Sequence, residues 1–329
     1  MESNDASLKM SRSSSSIGPL SVGNVVSAGL RLYRDNLKTY LGVALTATLW
    51  GFVPLVFNIF MNVLTAAGSE GNALLGLIVI IAFFAWLVAI FYCGAKSLQN
   101  AALISRLAFG MLTNQPETKA AANKNIKHKM WSFLLVQIVL FLIIFVAIIG
   151  AFLLLGLFLA IVGSVLGEGN PLLILFSLFG FLCCFGFYLW IYARFFISEV
   201  PLAIENNVGT LNALNRSWSL SKGMVRQIAL VIFVSFLITI PIYFVAFAPL
   251  LLSLGAIVST FSGGILGSGG GLAPTSVLAQ FLGLFLLTIL FLFAANLATL
   301  SFWQTIKAVI YYDLRNRKEG LDLQLRDSV

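Results

Sequence analysis

Charge is what this chain has least of. Only 10% of its 329 residues are Asp, Glu, Lys or Arg, whereas 60% are apolar. Soluble domains carry roughly 25% charged residues, so the deficit excludes a water-soluble fold for most of the chain. Histidine is almost missing: His128 stands alone inside the basic run NKNIKHKM. Without a triad context it reads as a solvated or interfacial side chain, not as a catalytic base. Cysteine is sparse too. Cys93, Cys183 and Cys184 all lie in apolar runs. Two of them are adjacent and too close to pair, and the spacing suits no metal, so they read as small apolar residues. Neither HExxH nor CxxC occurs. The expectation is no catalytic constellation, no metal and no cofactor.

Long apolar stretches dominate what remains, and runs of about twenty residues are membrane spans. The spans are expected at about 40–64, 73–93, 131–166, 171–192, 228–252 and 277–302. Residues 131–166 are too long for one upright span and barely long enough for two. Two spans would move Arg194, Arg216, Lys222 and Arg226 across the membrane from the other basic segments. The positive-inside rule disfavours that, so one long helix ending near Gly167 is expected. Pro54, Pro241 and Pro249 are expected kinks or breaks. The second span is expected to continue towards Arg106, and the last towards Tyr312.

With six spans, both chain ends fall on one side. That side then holds all 20 Lys and Arg residues, while the opposite loops hold Glu70 and Glu168. The basic side is therefore expected to be cytoplasmic. The fold class is all-α: a polytopic bundle of about six transmembrane helices with three amphipathic interfacial helices. Residues 1–19, serine-rich and polar, are expected as a disordered cytoplasmic tail, with no secretory leader. Residues 20–312 form the membrane domain and 313–329 a charged cytoplasmic tail. The expected membrane is a bacterial inner membrane or its equivalent.

Three basic segments recur, each ahead of a pair of spans. Leu20 to Lys38 places valines at helical spacing opposite Arg31, Arg34 and Lys38, with Ser21 as N-cap. A second segment carries Lys119, Lys124, Lys127 and Lys129, with Pro116 as a start signal. A third, NVGTLNALNRSWSLSKGM, carries Arg216 and Lys222. Two spans per unit preserve orientation, so the units read either as weak parallel repeats or as convergence on membrane hairpins. Arg31, Arg34, Lys38, Lys124, Lys127, Lys129, Arg216 and Lys222 are candidates to face anionic lipid or a membrane-protein partner. Nothing points to a nucleic-acid partner.

The other candidates are polar residues with structural roles. Glu199 and Glu205 are spaced to work as an acid/base pair, but neutralising Arg194, Arg216 or Lys222 is the favoured reading. Asn296, Thr299, Trp303 and Lys307 share one face of the last span, either lining a path or bonding to other helices. Charge is missing from mid-membrane, which counts against an ion-coupled transporter. The glycines between 263 and 271 have no following Gly-Lys-Ser/Thr and read as a connector. Gly163 and Gly167 make one GxxxG.

Two stretches, EVPLAIENNVGTLNALNRSWSLSKG (Glu199 to Gly223) and YYDLRNRKEGLDL (Tyr311 to Leu323), carry a family resemblance. With SVGNVVSAGLRLYRDNL near the start, they resemble the six-span family related to the membrane domain of glycerophosphoryl diester phosphodiesterases. The resemblance implies a helical membrane domain, sometimes fused to a soluble phosphodiesterase barrel. That barrel's His-Arg start and metal carboxylates have no counterpart here, so its activity is not implied. The expected function is a non-enzymatic structural, interaction or lipid-engaging module. A transporter or permease is the alternative, and a glycerophosphodiester or lipid hydrolase ranks below both.

Overall fold

The computed structural model describes residues 21–68, 73–167, 169–206, 208–265 and 274–320. The expected terminal tail 1–19, Glu70, Glu168, most of the glycine-rich connector and residues 321–329 lie outside these. Among the described residues there are helices and no strands: α1 Val22–Asp35, α2 Leu37–Gly68, α3 Ala73–Leu112, α4 Lys119–Lys127, α5 Met130–Leu166, α6 Pro171–Phe195, α7 Glu199–Ile204, α8 Thr210–Ser221, α9 Val225–Ile265 and α10 Pro274–Glu319. Six of them, α2, α3, α5, α6, α9 and α10, are long and apolar enough to cross a membrane. The chain is an integral membrane protein with an all-α fold. The six pair as three hairpins, α2/α3, α5/α6 and α9/α10, each preceded by a short helix.

Residues 131–166 do lie in one helix, α5, whose 37 residues end at Gly167 with φ +83°. Gly167 therefore terminates a helix instead of continuing a GxxxG face. None of the three prolines breaks its helix: α2 runs through Pro54, and α9 through Pro241 and Pro249. The α9 helix also takes in Phe261 to Ile265, which the sequence reading assigned to the glycine-rich connector. Pro116 does not open α4. Thr118 caps it instead, its hydroxyl accepting from the Ala121 N–H at 3.3 Å. The chain first needs a tight turn after α3, with Gln115 N–H donating to the Gly110 carbonyl at 2.9 Å. A Cβ on Gly110 would stand 2.8 Å from the Gln115 carbonyl oxygen, so the position requires glycine.

The largest boundary difference is at the end. α10 continues past Tyr312 to Glu319, across the segment expected as tail. Arg317 reaches Asp313 at 2.9 Å and Arg315 reaches Glu319 at 3.0 Å, each one helical turn away. These pairs suit a charged helix as well as a charged tail.

Length explains where the core sits. The 46 residues of α10 span about 70 Å at 1.5 Å per residue, over twice a hydrocarbon core. The extra turns of α3 and α10 lie at the basic end, where residues 101–110 and 308–314 are buried on every face. A helix apolar or small on all sides belongs at the centre of a bundle. Ala101, Ala102, Ser105 and Ala108 give α3 a low profile for close packing. The valine face of α1 is covered by α9 and α10, and a Cβ on Gly29 would collide with the Ile306 side chain. The valine face of this amphipathic helix thus packs on protein. Away from the basic end the hairpins are barely covered. No residue in the most apolar window of α3 or α6 is buried, and 22% at most in α2 or α9.

Candidate functional site

The short helix α7 is the centre of the polar structure. Val200, Leu202 and Ala203 are fully buried, and Glu199 is 9% exposed. Pro201 falls in its first turn, where a missing N–H costs nothing. So short a helix has carbonyls without helical partners, and burial makes each of them expensive. Two cations satisfy them. Lys129 Nζ donates to the carbonyls of Leu202 (3.1 Å) and Glu205 (2.6 Å), and Arg106 Nη1 donates to the Ala203 carbonyl (2.7 Å). Positive charge at a helix C-terminus is also favoured by the helix dipole. Arg106 simultaneously grips Glu117 with two hydrogen bonds of 2.8 and 2.7 Å. These contacts tie α3, the turn before α4 and the start of α5 to one buried element.

The two glutamates that flank α7 extend this lattice. Glu199 Oε1 accepts from Gln304 Nε2 at 2.8 Å and from Lys307 Nζ at 2.6 Å. Gln304 in turn accepts from the Ser105 hydroxyl, closing a chain from α7 through α10 to α3. Glu205 Oε1 accepts from Arg216 Nε at 3.2 Å and from the Tyr311 hydroxyl. Arg216 also pairs with Glu319, which holds Arg315. Glu205 therefore does neutralise Arg216, while the partner of Glu199 is Lys307, outside its three expected partners. Burial works against a charged Arg216, but Glu205 and Glu319 outweigh it and raise its pKa.

Arg194 is held differently. Its guanidinium lies 4.4 Å from the Trp218 ring and 5.2 Å from the Trp190 ring, and it donates to the Trp218 carbonyl at 3.2 Å. Its own carbonyl accepts from Ser217 at 2.8 Å. This stacking fixes α8 against the end of α6, a role that carboxylate counting misses.

One surface candidate is internal and a second is partly covered. Lys129 is 8% exposed, so it faces neither lipid nor partner. Burial, reinforced by Arg106 and opposed by Glu205, lowers its pKa. Arg216 is half-buried in the ion-pair chain. Arg31, Arg34, Lys38, Lys124, Lys127, Lys222 and His128 are exposed. Asn296 bonds across helices, accepting from the Thr48 hydroxyl at 3.0 Å, and Thr299 meets the Tyr243 hydroxyl at 3.0 Å. That face joins α10 to α2 and α9. Gln304 stands out in the sequence only as one of the few polar residues inside the spans, and Arg106 and Tyr311 were not singled out as site candidates. Their signal was a polar residue inside a run that otherwise reads as buried helix.

Beside the Glu199–Lys307 pair is a cavity of about 70 Å³, bounded by α5, α6, α7 and α10. Gln137, Tyr192, Phe196 and Ser198 also line it. No group of three or more His, Cys, Asp or Glu suited to a metal occurs among the described residues. Comparison with family models, curated proteins and solved structures found no match to this chain.

Proposed function

We propose that this chain is a lipid-engaging membrane module whose role is structural or interactive, not enzymatic. One observation carries the reading: the hairpins are interlocked at the basic end and leave their apolar side chains uncovered beyond it. Leu154, Val165 and Ile174 are 70%, 80% and 71% exposed, a state that only lipid or another apolar surface makes stable. Glu199, Glu205 and Asp313 are each engaged by a cation, which supports structural work for these carboxylates over acid/base chemistry. The exposed cations Arg31, Arg34, Lys38, Lys124, Lys127 and Lys222 suit an anionic leaflet, at about 1 kcal/mol each. The basic end faces the cytoplasm of a bacterial inner membrane or its equivalent. Kinship with the six-span phosphodiesterase membrane domains, resting on the three stretches quoted above, belongs to the same proposal.

Extraction into native lipid particles, followed by mass spectrometry of co-purifying lipid and protein, tests this reading. Retained lipid or a stable membrane partner is the expected result. Solute flux in liposomes, or cleavage of a glycerophosphodiester, lost on Glu205→Gln without loss of fold, would overturn it.

A further inference from the structure

The cavity between α5, α6, α7 and α10 is lined by polar groups with unmet bonding capacity. Both hydrogen bonds to Glu199 fall on Oε1, which leaves Oε2 open. Lys307 donates one N–H to that carboxylate and rests 5.2 Å from the Phe196 ring centre. The Tyr192 and Ser198 hydroxyls and the Gln137 amide make no side-chain hydrogen bond among the described residues, yet all three line the cavity. Ser198 and Glu199 belong to buried residues with bonding capacity to spare, and the half-buried Tyr192 and exposed Gln137 stand beside them, so this cluster suits a polar occupant.

Its position narrows the choice. Gln137 is exposed on α5, and from Phe133 to Gly163 it is the only side chain able to hydrogen-bond. It lies about 10 Å along the helix from Met130, near the headgroup boundary of the leaflet on the basic side. The cavity wall at Gln137 thus reaches the outer surface of α5. The volume of 70 Å³ holds about five water-sized groups. Charge narrows it further. A simple anion would meet Glu199, and a simple cation would meet Lys307. A zwitterion aligned against that ion pair satisfies both, and a primary ammonium supplies the N–H donors that Glu199 Oε2 and the hydroxyls can accept.

We infer that this cavity binds the phosphoethanolamine headgroup of an aminophospholipid. Its ammonium lies inward at Glu199 Oε2, Tyr192 and Ser198, and its phosphate lies at the mouth against Lys307 and Gln137. A trimethylammonium headgroup adds three carbons and offers no N–H, so it is discriminated against. The inference rests on the lipid-engaging reading above and gives that reading a headgroup.

The test is retention from lipid discs holding equal amounts of phosphatidylethanolamine, phosphatidylcholine and phosphatidylglycerol, read by mass spectrometry of the released full-length protein. Phosphatidylethanolamine should be retained about tenfold over phosphatidylcholine, the value of one charge-assisted hydrogen bond. Glu199→Gln should remove that preference. Gln137→Leu, at an exposed position that leaves the packing intact, should reduce it several-fold. Retention of all three lipids in bulk proportion, or preference for phosphatidylglycerol, would overturn the headgroup assignment and leave the lipid-engaging reading standing. Absence of any retained lipid would sink both. Binding of soluble phosphoethanolamine at millimolar concentration, with no preference among the three retained lipids, would keep the chemistry but refute the lipid as its source. Full preference in Gln137→Leu would refute the mouth contact.

Discussion

The two ends of this molecule are built on opposite principles. At the basic end, cations are buried and matched: Lys129 to two carbonyls, Arg106 to Glu117 and Ala203, Lys307 to Glu199. At the other end α5 and α6 present Phe152, Leu154, Leu157, Ile174 and Phe181 with little cover. The difference follows from the solvent of each region. In hydrocarbon, apolar side chains gain nothing by leaving lipid for protein, so hairpins have no hydrophobic reason to close. Hydrogen bonds and ion pairs between helices are specific wherever they occur, and here they concentrate where the helices outrun the bilayer. The base holds the hairpins in register, and lipid completes the rest.

Substitutions in the base should break the comparison most. Arg106→Met strands Glu117 and the Ala203 carbonyl, and should lower stability by about 3 kcal/mol, read as thermal unfolding in lipid particles. Lys129→Met removes two charge-assisted bonds to α7 and should cost about 2 kcal/mol in the same assay. Nearer the membrane the effects shrink. Asn296→Leu loses the bond from Thr48 and should cost about 0.6–1 kcal/mol. Leu154→Ala, facing lipid, should stay within about 0.5 kcal/mol of the parent protein. A large loss there would show that the hairpins pack against protein in the membrane.

The smallest effect is one of pH. Lys129 has its folded pKa lowered, first by burial and then by Arg106. Its charged form therefore carries a penalty in the folded state. The penalty is present in full below the lowered pKa and is relieved as pH rises from there towards about 10.5, the usual lysine value. The parent protein should gain slightly in melting temperature over that alkaline window relative to Lys129→Met. A parallel or falling difference would argue that Lys129 is not desolvated.

Sequence reasoning served best where one-dimensional physics decides. Run length and the position of Arg194, Arg216, Lys222 and Arg226 were enough to make residues 131–166 one helix. It served least where partners are distant. Lys129 follows Lys124 and Lys127 in a basic run and reads like them, but its bonds reach 73 and 76 residues along the chain. Nothing local marks the buried α7, because the cations that make its burial possible come from α3 and the start of α5. The same holds for Glu199, whose partner Lys307 is 108 residues away. At Asp313 to Glu319 local charge suits a helix and a tail equally, and docking through Arg216 and Glu319 decides for the helix.

The central claim is that the carboxylates around α7 hold the assembly together. Glu205→Ala tests it directly, with membrane abundance and thermal unfolding measured in lipid particles beside Val165→Ala at the exposed end. The account predicts that Glu205→Ala, which strands Arg216 and the Tyr311 hydroxyl, falls well below Val165→Ala in both readouts. Parental abundance and stability in Glu205→Ala, together with loss of a specific activity, would contradict it.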